Sequence, residues 1–211
     1  MQIMKKQILV IGGGDTFETY EEYLEWLRNY ELDPTRYITG KDDWKPWLRL
    51  VLGQEYEVII PVMPNKFNAQ FNEWKLWFEK FFPFINDEVI IIGHSLGGAF
   101  VAKYLSENKF PKKIKAVMLV GAVFDKDSEG YGLVSFTLPS KLDFQTENIY
   151  LYHSKDDPVV SFSALEQYKQ TLPNAQTRIF ESRQHLNQEE FPELVEDIKI
   201  LLDNYSHLYL H

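Results

Sequence analysis

The sequence contains no cysteine among its 211 residues. Disulfide bonds and thiolate catalysis are therefore excluded, and any nucleophile must be an oxygen or a lysine. Long hydrophobic runs are also missing, because no stretch approaches the roughly 18 apolar residues of a membrane-spanning helix. Residues 7–11 are too short for the core of a signal peptide and run directly into three glycines. We therefore expect a cytoplasmic protein with no membrane partner.

Positive charge is scarce as well. The chain has 22 lysines and arginines against 31 aspartates and glutamates, so its formal net charge is -9. Nucleic-acid binding needs clustered basic side chains that neutralise phosphates, and the sequence shows no such cluster. We expect no nucleic-acid partner, and the acidic balance mainly indicates solubility.

Two kinds of segment alternate along the chain. Short β-branched apolar runs suit strands buried on both faces of a parallel sheet, and they occupy residues 8–11, 58–62, 89–92, 116–120, 149–152 and 177–180. Helix-like segments lie between and after them, at residues 18–30, 44–52, 70–82, 98–108, 162–172 and 192–207. This order predicts one α/β domain over residues 1–211, with a mostly parallel sheet of about six strands and helices on both faces.

Two connections are longer than an α/β unit needs. Residues 31–57 contain Trp44 and Trp47, and we expect an extra helix there beside the site. Residues 121–148 are rich in glycine, serine and aromatic residues, and a loop of this length is usually functional or disordered. It is interpreted as a substrate-covering loop or as a structural excursion packed by its own aromatic residues, Phe124, Tyr131, Phe136 and Phe144.

The most informative motif is Gly93-His94-Ser95-Leu96-Gly97, which directly follows the third predicted strand and precedes a helix-like segment. A strand that runs straight into a helix must turn within a few residues. This turn holds the central residue in a strained conformation and lifts its side chain above the sheet edge. The context predicts a nucleophile elbow in which the serine is the nucleophile. The alternative is a tight strand-to-helix turn that merely contains a serine.

A serine nucleophile needs a general base, which is usually a histidine. With this elbow, the base is expected in a late loop, after the acid in chain order. His185 fits best, because it follows the sixth predicted strand in a polar loop before the last helix. His94 is expected to point away from the nucleophile, His153 precedes the acid, and His207 and His211 lie in the tail. The alternative for His185 is a solvated loop histidine.

The acid of such a site should follow a later strand. The segment Ser-Lys-Asp-Asp-Pro at residues 154–158 does so, and either aspartate has the reach. Pro158 fixes its own φ and favours an extended conformation at Asp157, which would aim that carboxylate inward. We therefore favour Asp157 over Asp156. The alternative is that the segment is only a turn with helix-capping residues.

An oxyanion hole needs two backbone N–H donors aimed at the developing negative charge. Leu96, the residue after the nucleophile, is expected to supply the first. The second is expected from the loop after the first strand, where Gly13 and Gly14 let the backbone approach a substrate without a Cβ in the way. These glycines do not form a dinucleotide-binding fingerprint, because Phe17 stands where its last glycine would be.

Four segments together resemble the small serine α/β-hydrolases related to retinoblastoma-binding protein 9 and to the bacterial YdeN-like proteins. The resemblance covers most of the chain, and it implies a compact α/β-hydrolase core with a triad that falls by motif on Ser95, Asp157 and His185. The segments are the first strand with its glycine-rich end, Met63-Pro64-Asn65 with the helix that carries Trp74, the elbow with Gly98 after it, and Ser154-Lys155-Asp156-Asp157-Pro158.

Two features depart from the pattern of that family. Its histidine often follows a glycine, whereas Arg183 and Gln184 precede His185 in this sequence. The insertion that carries Trp44 and Trp47 is also longer than usual, which suggests a differently shaped substrate pocket.

The expected activity is that of a carboxylesterase-like serine hydrolase that cleaves a small carboxylic ester, thioester or amide through an acyl-enzyme on Ser95. No metal or organic cofactor is implied. The expected partner is a small ester-type substrate, and nothing in the sequence indicates a protein partner. The alternative is a protein-interaction module that keeps the fold while its catalysis is weak or absent.

Tryptophans near the early connections are compatible with an apolar acyl or alcohol pocket. Aromatic residues at helical spacing nevertheless belong more often to the core. The residues concerned are Trp44, Trp47, Trp74 and Trp77.

Overall fold

A six-stranded parallel sheet forms the centre of the described part of the chain, which in this computed structural model comprises residues 5–40, 43–124 and 133–202. The order across the sheet is β2-β1-β3-β4-β5-β6, and all neighbouring strands run parallel. The α/β fold expected from the sequence is confirmed. The strands are β1 (Lys6–Ile11), β2 (Tyr56–Ile59), β3 (Val89–His94), β4 (Ile114–Val120), β5 (Ile149–Ser154) and β6 (Gln176–Phe180).

Helices cover both faces of this sheet. Buried residues of α4, α5 and α6 pack on one face, and those of α3 and α7 pack on the other. Within the described ranges, none of the helices is long and apolar enough to cross a membrane. The helices are α1 (Tyr20–Asn29), α2 (Pro34–Thr39), α3 (Trp44–Leu52), α4 (Phe71–Glu79), α5 (Leu96–Glu107), α6 (Ser163–Thr171) and α7 (Pro192–Leu202), with short 3-10 helices at Phe82–Phe84 and Val134–Phe136.

Alternation of side chains across the sheet explains why the inner strands are largely apolar. Leu9 and Ile11 of β1 belong to one core layer, and Ile8 and Val10 belong to the other. Successive side chains of a strand point to opposite faces, so a strand covered on both sides must be apolar at every position. All of these side chains are fully buried.

The structure corrects several boundaries, and proline explains two of them. The second strand ends at Ile59 rather than at residue 62, because Pro61 cannot donate a ladder hydrogen bond, and Val62 is exposed. The fourth helix ends at Glu79, and Pro83 lies in a separate 3-10 turn. The long first connection contains the expected helix α3 and also α2, which the sequence analysis missed.

The long connection between β4 and β5 packs largely into the core where it is described. Phe136 and Phe144 are buried, and Phe124 is partly buried against the same core layer. This packing favours a structural role for these parts of the loop over the role of covering a substrate. Residues 125–132, which include Tyr131, lie outside the described residues, as do residues 203–207 of the predicted last helix.

The carboxyl ends of the strands meet at one edge of the sheet, where parallel α/β folds place their ligand sites. The loop with Gly13 follows β1, Ser95 follows β3, Gly121 follows β4, Asp157 follows β5 and His185 follows β6. The fold therefore brings the residues that were singled out along the sequence to a single edge.

Candidate active site

Ser95 lies between β3 and α5 in a backbone conformation that few non-glycine residues adopt. Its φ of 56° and ψ of -126° lie outside both the helical and the extended regions. Its N–H donates to the carbonyl of Val120 at 3.0 Å, which ties the turn to the end of β4. Such strain persists only where the surroundings hold it, and it is typical of a nucleophile elbow.

The elbow requires glycine because helix and sheet approach very closely. A Cβ added at Gly97 would lie 2.4 Å from the carbonyl oxygens of both Ile11 and Gly12. A Cβ at Gly93 would lie 2.7 Å from the carbonyl oxygen of Gly97. Backbone atoms cannot move away as a flexible side chain can, so α5 begins this close to β1 only without side chains at these positions.

His185 and Asp157 form a hydrogen-bonded pair. The Nδ1 atom of His185 lies 2.8 Å from Oδ2 and 3.1 Å from Oδ1 of the carboxylate. The Asp157 side chain is fully buried, and its Oδ1 also accepts the N–H groups of Val159 and Val160 at 2.8 and 2.9 Å. Because a carboxylate only accepts, Nδ1 carries a proton, and in the neutral imidazole the lone pair is then on Nε2.

The neighbouring Asp156 is bound differently. It lies at the surface, where its Oδ1 accepts from the Ser154 hydroxyl and from the Gln184 N–H at 2.9 Å. The hydrogen bond from Ser154 contributes most to a lowered pKa of Asp156. Asp157 therefore binds the imidazole of His185, whereas Asp156 binds the backbone of the loop that contains His185.

Gly121 lies beside the Asp157–His185 pair, directly after the residue that binds the Ser95 N–H. Its nearest neighbours at the position of a Cβ would be Asp157 Oδ2 and His185 Nδ1, both at 3.5 Å. The preceding residue, Val120, accepts the hydrogen bond from the Ser95 N–H. The end of β4 thus has the elbow on one side and the imidazole–carboxylate pair on the other.

The loop after β1 lies against Ser95. A Cβ at Gly13 would lie 3.0 Å from Ser95 Cβ and 3.4 Å from Ser95 Oγ, whereas one at Gly14 would meet the carbonyl of Lys66 at 2.4 Å. Leu96 begins α5, and N–H groups in the first turn of a helix have no acceptor within the helix. Of the expected oxyanion donors, Leu96 and Gly13 therefore border Ser95, whereas Gly14 faces the backbone of Lys66.

The family comparison agrees with this geometry. The model of the family described as serine hydrolase matches residues 37–204, which include Ser95, Asp157 and His185. The chain belongs to the serine hydrolase family. A comparison with curated protein sequences gives no match.

Solved structures show how this serine hydrolase relates to known folds. The ydeN gene product of B. subtilis is 19% identical, with a TM-score of 0.72 over 94% of this chain and 100% of the other. A YdeN-like hydrolase from Pectobacterium atrosepticum is 18% identical, with a TM-score of 0.61 over 93% and 92%. An α/β serine hydrolase without lid from Xanthomonas campestris is 8% identical, with a TM-score of 0.56 over 100% and 86%.

These findings confirm the resemblance to small YdeN-like serine hydrolases that the motifs indicated. At such low identities the structures establish the fold, and the family match establishes the serine hydrolase. The side chains around the site determine which substrate is bound, because one fold supports many specificities.

Two further histidines of this serine hydrolase lie close to the site, and both are buried. His153 Nε2 lies 3.0 Å from the carbonyl of Val160 and 3.9 Å from Asp157 Oδ2, and burial lowers the pKa of its imidazole. His94 Nε2 lies 3.0 Å from the carbonyl of His185, and the two rings pack 5.0 Å apart. Nothing in the sequence around His94 indicates this contact. His207 and His211 lie outside the described residues.

The four tryptophans that were compatible with an apolar substrate pocket lie in the core or on the outer helices. Trp44 and Trp74 are fully buried in the core, Trp47 packs partly buried against the core layer of α3 and α7, and Trp77 is half-exposed on α4. The sequence analysis missed Trp26 on α1, a helix that buries none of its residues. Aromatic residues at every third position, from 17 through 20, 23 and 26, are the signal that would have indicated an aromatic face.

The Gly97→Ala variant is expected to lose about 2 kcal/mol or more of unfolding free energy, as overpacked sites do when backbone atoms block the new methyl group. Urea denaturation measures this loss. Gly12→Ala is the matched control, since its Cβ would meet only the flexible Lys45 side chain at 3.7 Å. Equal stability of the two variants would contradict the close approach at the elbow.

Proposed function

We propose that this serine hydrolase cleaves small carboxylic esters through an acyl-enzyme on Ser95. The observation that carries the proposal is the buried Asp157 carboxylate bound to His185 Nδ1 at 2.8 Å, beside the strained elbow. This bond leaves Nε2 as the proton acceptor, which is the tautomer that a general base for a serine hydroxyl needs. Thioesters and amides would pass through the same acyl-enzyme.

In the first half of the reaction, His185 Nε2 takes the proton of Ser95 Oγ while Oγ forms a bond to the ester carbonyl carbon. Asp157 stays ionised and stabilises the resulting imidazolium. The negative charge moves to the carbonyl oxygen, which accepts hydrogen bonds from the Leu96 N–H and from the loop of Gly13 and Gly14. The intermediate then breaks its bond to the alcohol oxygen, and His185 returns the proton to the leaving alcohol.

In the second half, a water molecule takes the place of the alcohol. His185 removes one proton from the water as its oxygen attacks the acyl carbon, and the bond to Ser95 Oγ breaks. The proton returns to Oγ, and the carboxylic acid product leaves. Both halves use the same base and the same N–H donors, so the proposal needs no residue beyond those at the sheet edge.

The aromatic face of α1 supports an apolar substrate group. Phe17 follows the loop after β1 and packs 5.6 Å from Trp26, which in turn packs 6.0 Å from Phe67. The backbone of Lys66 holds this cluster against the loop, because its carbonyl accepts the Asp15 N–H at 2.8 Å. These half-exposed rings therefore continue from the loop beside Ser95, and we propose that they contact the acyl or alcohol chain.

A fluorophosphonate probe is expected to label the wild-type protein on Ser95, because it reacts with a serine that a histidine activates. Ser95→Ala should abolish labelling, and His185→Ala should reduce it to background. Gel fluorescence and intact-mass measurement detect the adduct. Folded protein without any labelling would contradict the enzyme and favour the protein-interaction module.

The two aspartates are expected to differ strongly in their effect on turnover. Asp157→Asn removes the carboxylate that orients the imidazole and should lower kcat by about 10⁴. Asp156→Asn is the matched control, since its amide oxygen still accepts the Gln184 N–H, and its kcat should stay within about threefold. Hydrolysis of p-nitrophenyl acetate measures both. A larger loss for Asp156→Asn would reassign the acid.

A series of p-nitrophenyl esters with longer acyl chains tests the aromatic face. Each buried methylene contributes about 0.8 kcal/mol, so Trp26→Ala should lower kcat/KM for the octanoate about tenfold and leave the acetate within about twofold. Trp77→Ala removes a half-exposed tryptophan on α4 and serves as the control. If Trp26→Ala lowers kcat/KM by the same factor for the acetate and the octanoate, the acyl chain does not bind at this aromatic face.

A further inference from the structure

The loop that carries His185 has an unfavourable backbone on both sides of the histidine. Gln184 has a φ of 49° and Leu186 a φ of 53°, both in the left-handed region that disfavours residues with a Cβ. No helix or strand includes residues 181–190, so regular hydrogen bonding does not hold this conformation. The surroundings must therefore hold it, or the imidazole would lose its direction.

On one side, the end of β5 holds the residues before the histidine. The Arg183 N–H donates to Ser154 Oγ at 2.8 Å, and the Gln184 N–H donates to Asp156 Oδ1 at 2.9 Å. These two bonds fix the entry of the loop. They leave the carbonyl groups of the histidine itself and of the next residue to other partners.

Two buried ring N–H groups bind those carbonyls from the opposite side. Trp44 Nε1, from the first residue of α3, donates to the carbonyl of Leu186 at 2.8 Å. His94 Nε2, from the residue before the nucleophile, lies 3.0 Å from the carbonyl of His185. The Trp44 and His94 rings also pack edge to face, with centroids 5.9 Å apart. Consecutive carbonyls of the base loop are thus bound by one packed pair of rings.

His94 acts here as a neutral donor. A carbonyl only accepts, so its Nε2 carries the proton. Burial lowers the pKa of His94 well below its usual value, and the nearby charge of Lys45 lowers it further. The imidazole therefore stays neutral and keeps a single donor directed at the His185 backbone.

We propose that Trp44 and His94 are positioning residues for the general base, which they direct at Ser95 through the carbonyls of Leu186 and His185. This inference rests on the proposed function. The geometry distinguishes this positioning role from ordinary core packing. Both donors bind one strained turn, and His94 directly precedes the nucleophile in the chain. The elbow and the base loop are then held together by a direct hydrogen bond.

The first test removes only the indole N–H. Trp44→Phe keeps an aromatic ring in the core, and kcat for p-nitrophenyl acetate should fall about tenfold while KM stays within about twofold, because a displaced base weakens chemistry and leaves binding intact. Trp74→Phe is the matched control, since Trp74 is also fully buried and donates to a backbone carbonyl, that of Pro64, at 2.8 Å. The kcat of Trp74→Phe should change much less, although its melting temperature should fall about as far as that of Trp44→Phe.

The second test replaces the donor at position 94. His94→Phe retains a ring without a ring N–H and should lower kcat about tenfold or more, whereas His94→Gln keeps a terminal N–H and should recover much of that loss. The rate of fluorophosphonate labelling at saturating probe gives a second measure of the chemical step. Melting temperatures of both variants identify any effect of unfolding.

The outcomes separate this inference from the proposed function. An active wild type in which Trp44→Phe and Trp74→Phe lose kcat equally, or in which His94→Gln is as impaired as His94→Phe, would overturn the positioning role alone. A loss that falls on KM with kcat unchanged would do the same. A wild type that neither turns over esters nor takes the probe would overturn the proposed function and this inference with it.

Discussion

The close approach of α5 to the end of β1 sets the geometry on which the rest of the site depends. Because a Cβ at Gly97 would lie 2.4 Å from the carbonyl oxygens of Ile11 and Gly12, the helix begins almost in contact with the sheet. The chain must therefore reverse at Ser95 itself, whose φ of 56° results from that constraint. The serine stands at the edge where β4, β5 and β6 also end, so short loops are enough to bring Gly121, Asp157 and His185 to it.

Much of this arrangement is predictable from the sequence because its causes are local. Strands buried on both faces are largely apolar, which is why the inner strands stand out as β-branched runs, whereas the edge strand β6 is partly exposed and contains Gln176 and Arg178. The elbow motif is also recognisable locally, because an apolar strand pattern precedes it and a helical pattern follows it. The restriction that Pro158 places on Asp157 selects the aspartate that the structure sets against His185, and its role as the acid stays a prediction.

The rest depends on contacts between distant parts of the chain. The indole of Trp44 binds the carbonyl of Leu186, which lies 142 positions later in the chain, and no local pattern indicates that contact. Which aromatic residues enter the core is decided by where each helix meets the sheet. α3 packs on a core layer and buries Trp44, whereas α1 buries none of its residues and leaves Trp26 only partly buried.

Three of the described residues with a strained backbone lie at the elbow and on either side of His185. Ser95, Gln184 and Leu186 all have positive φ, a conformation that costs about 1–2 kcal/mol at each residue with a Cβ. The strained turns are not independent, because His94 precedes Ser95 and binds the carbonyl of His185. A shift of the elbow would carry the base loop with it. This hydrogen bond links the elbow to the His185 loop, which Trp44 of α3 and Ser154 and Asp156 at the end of β5 also hold.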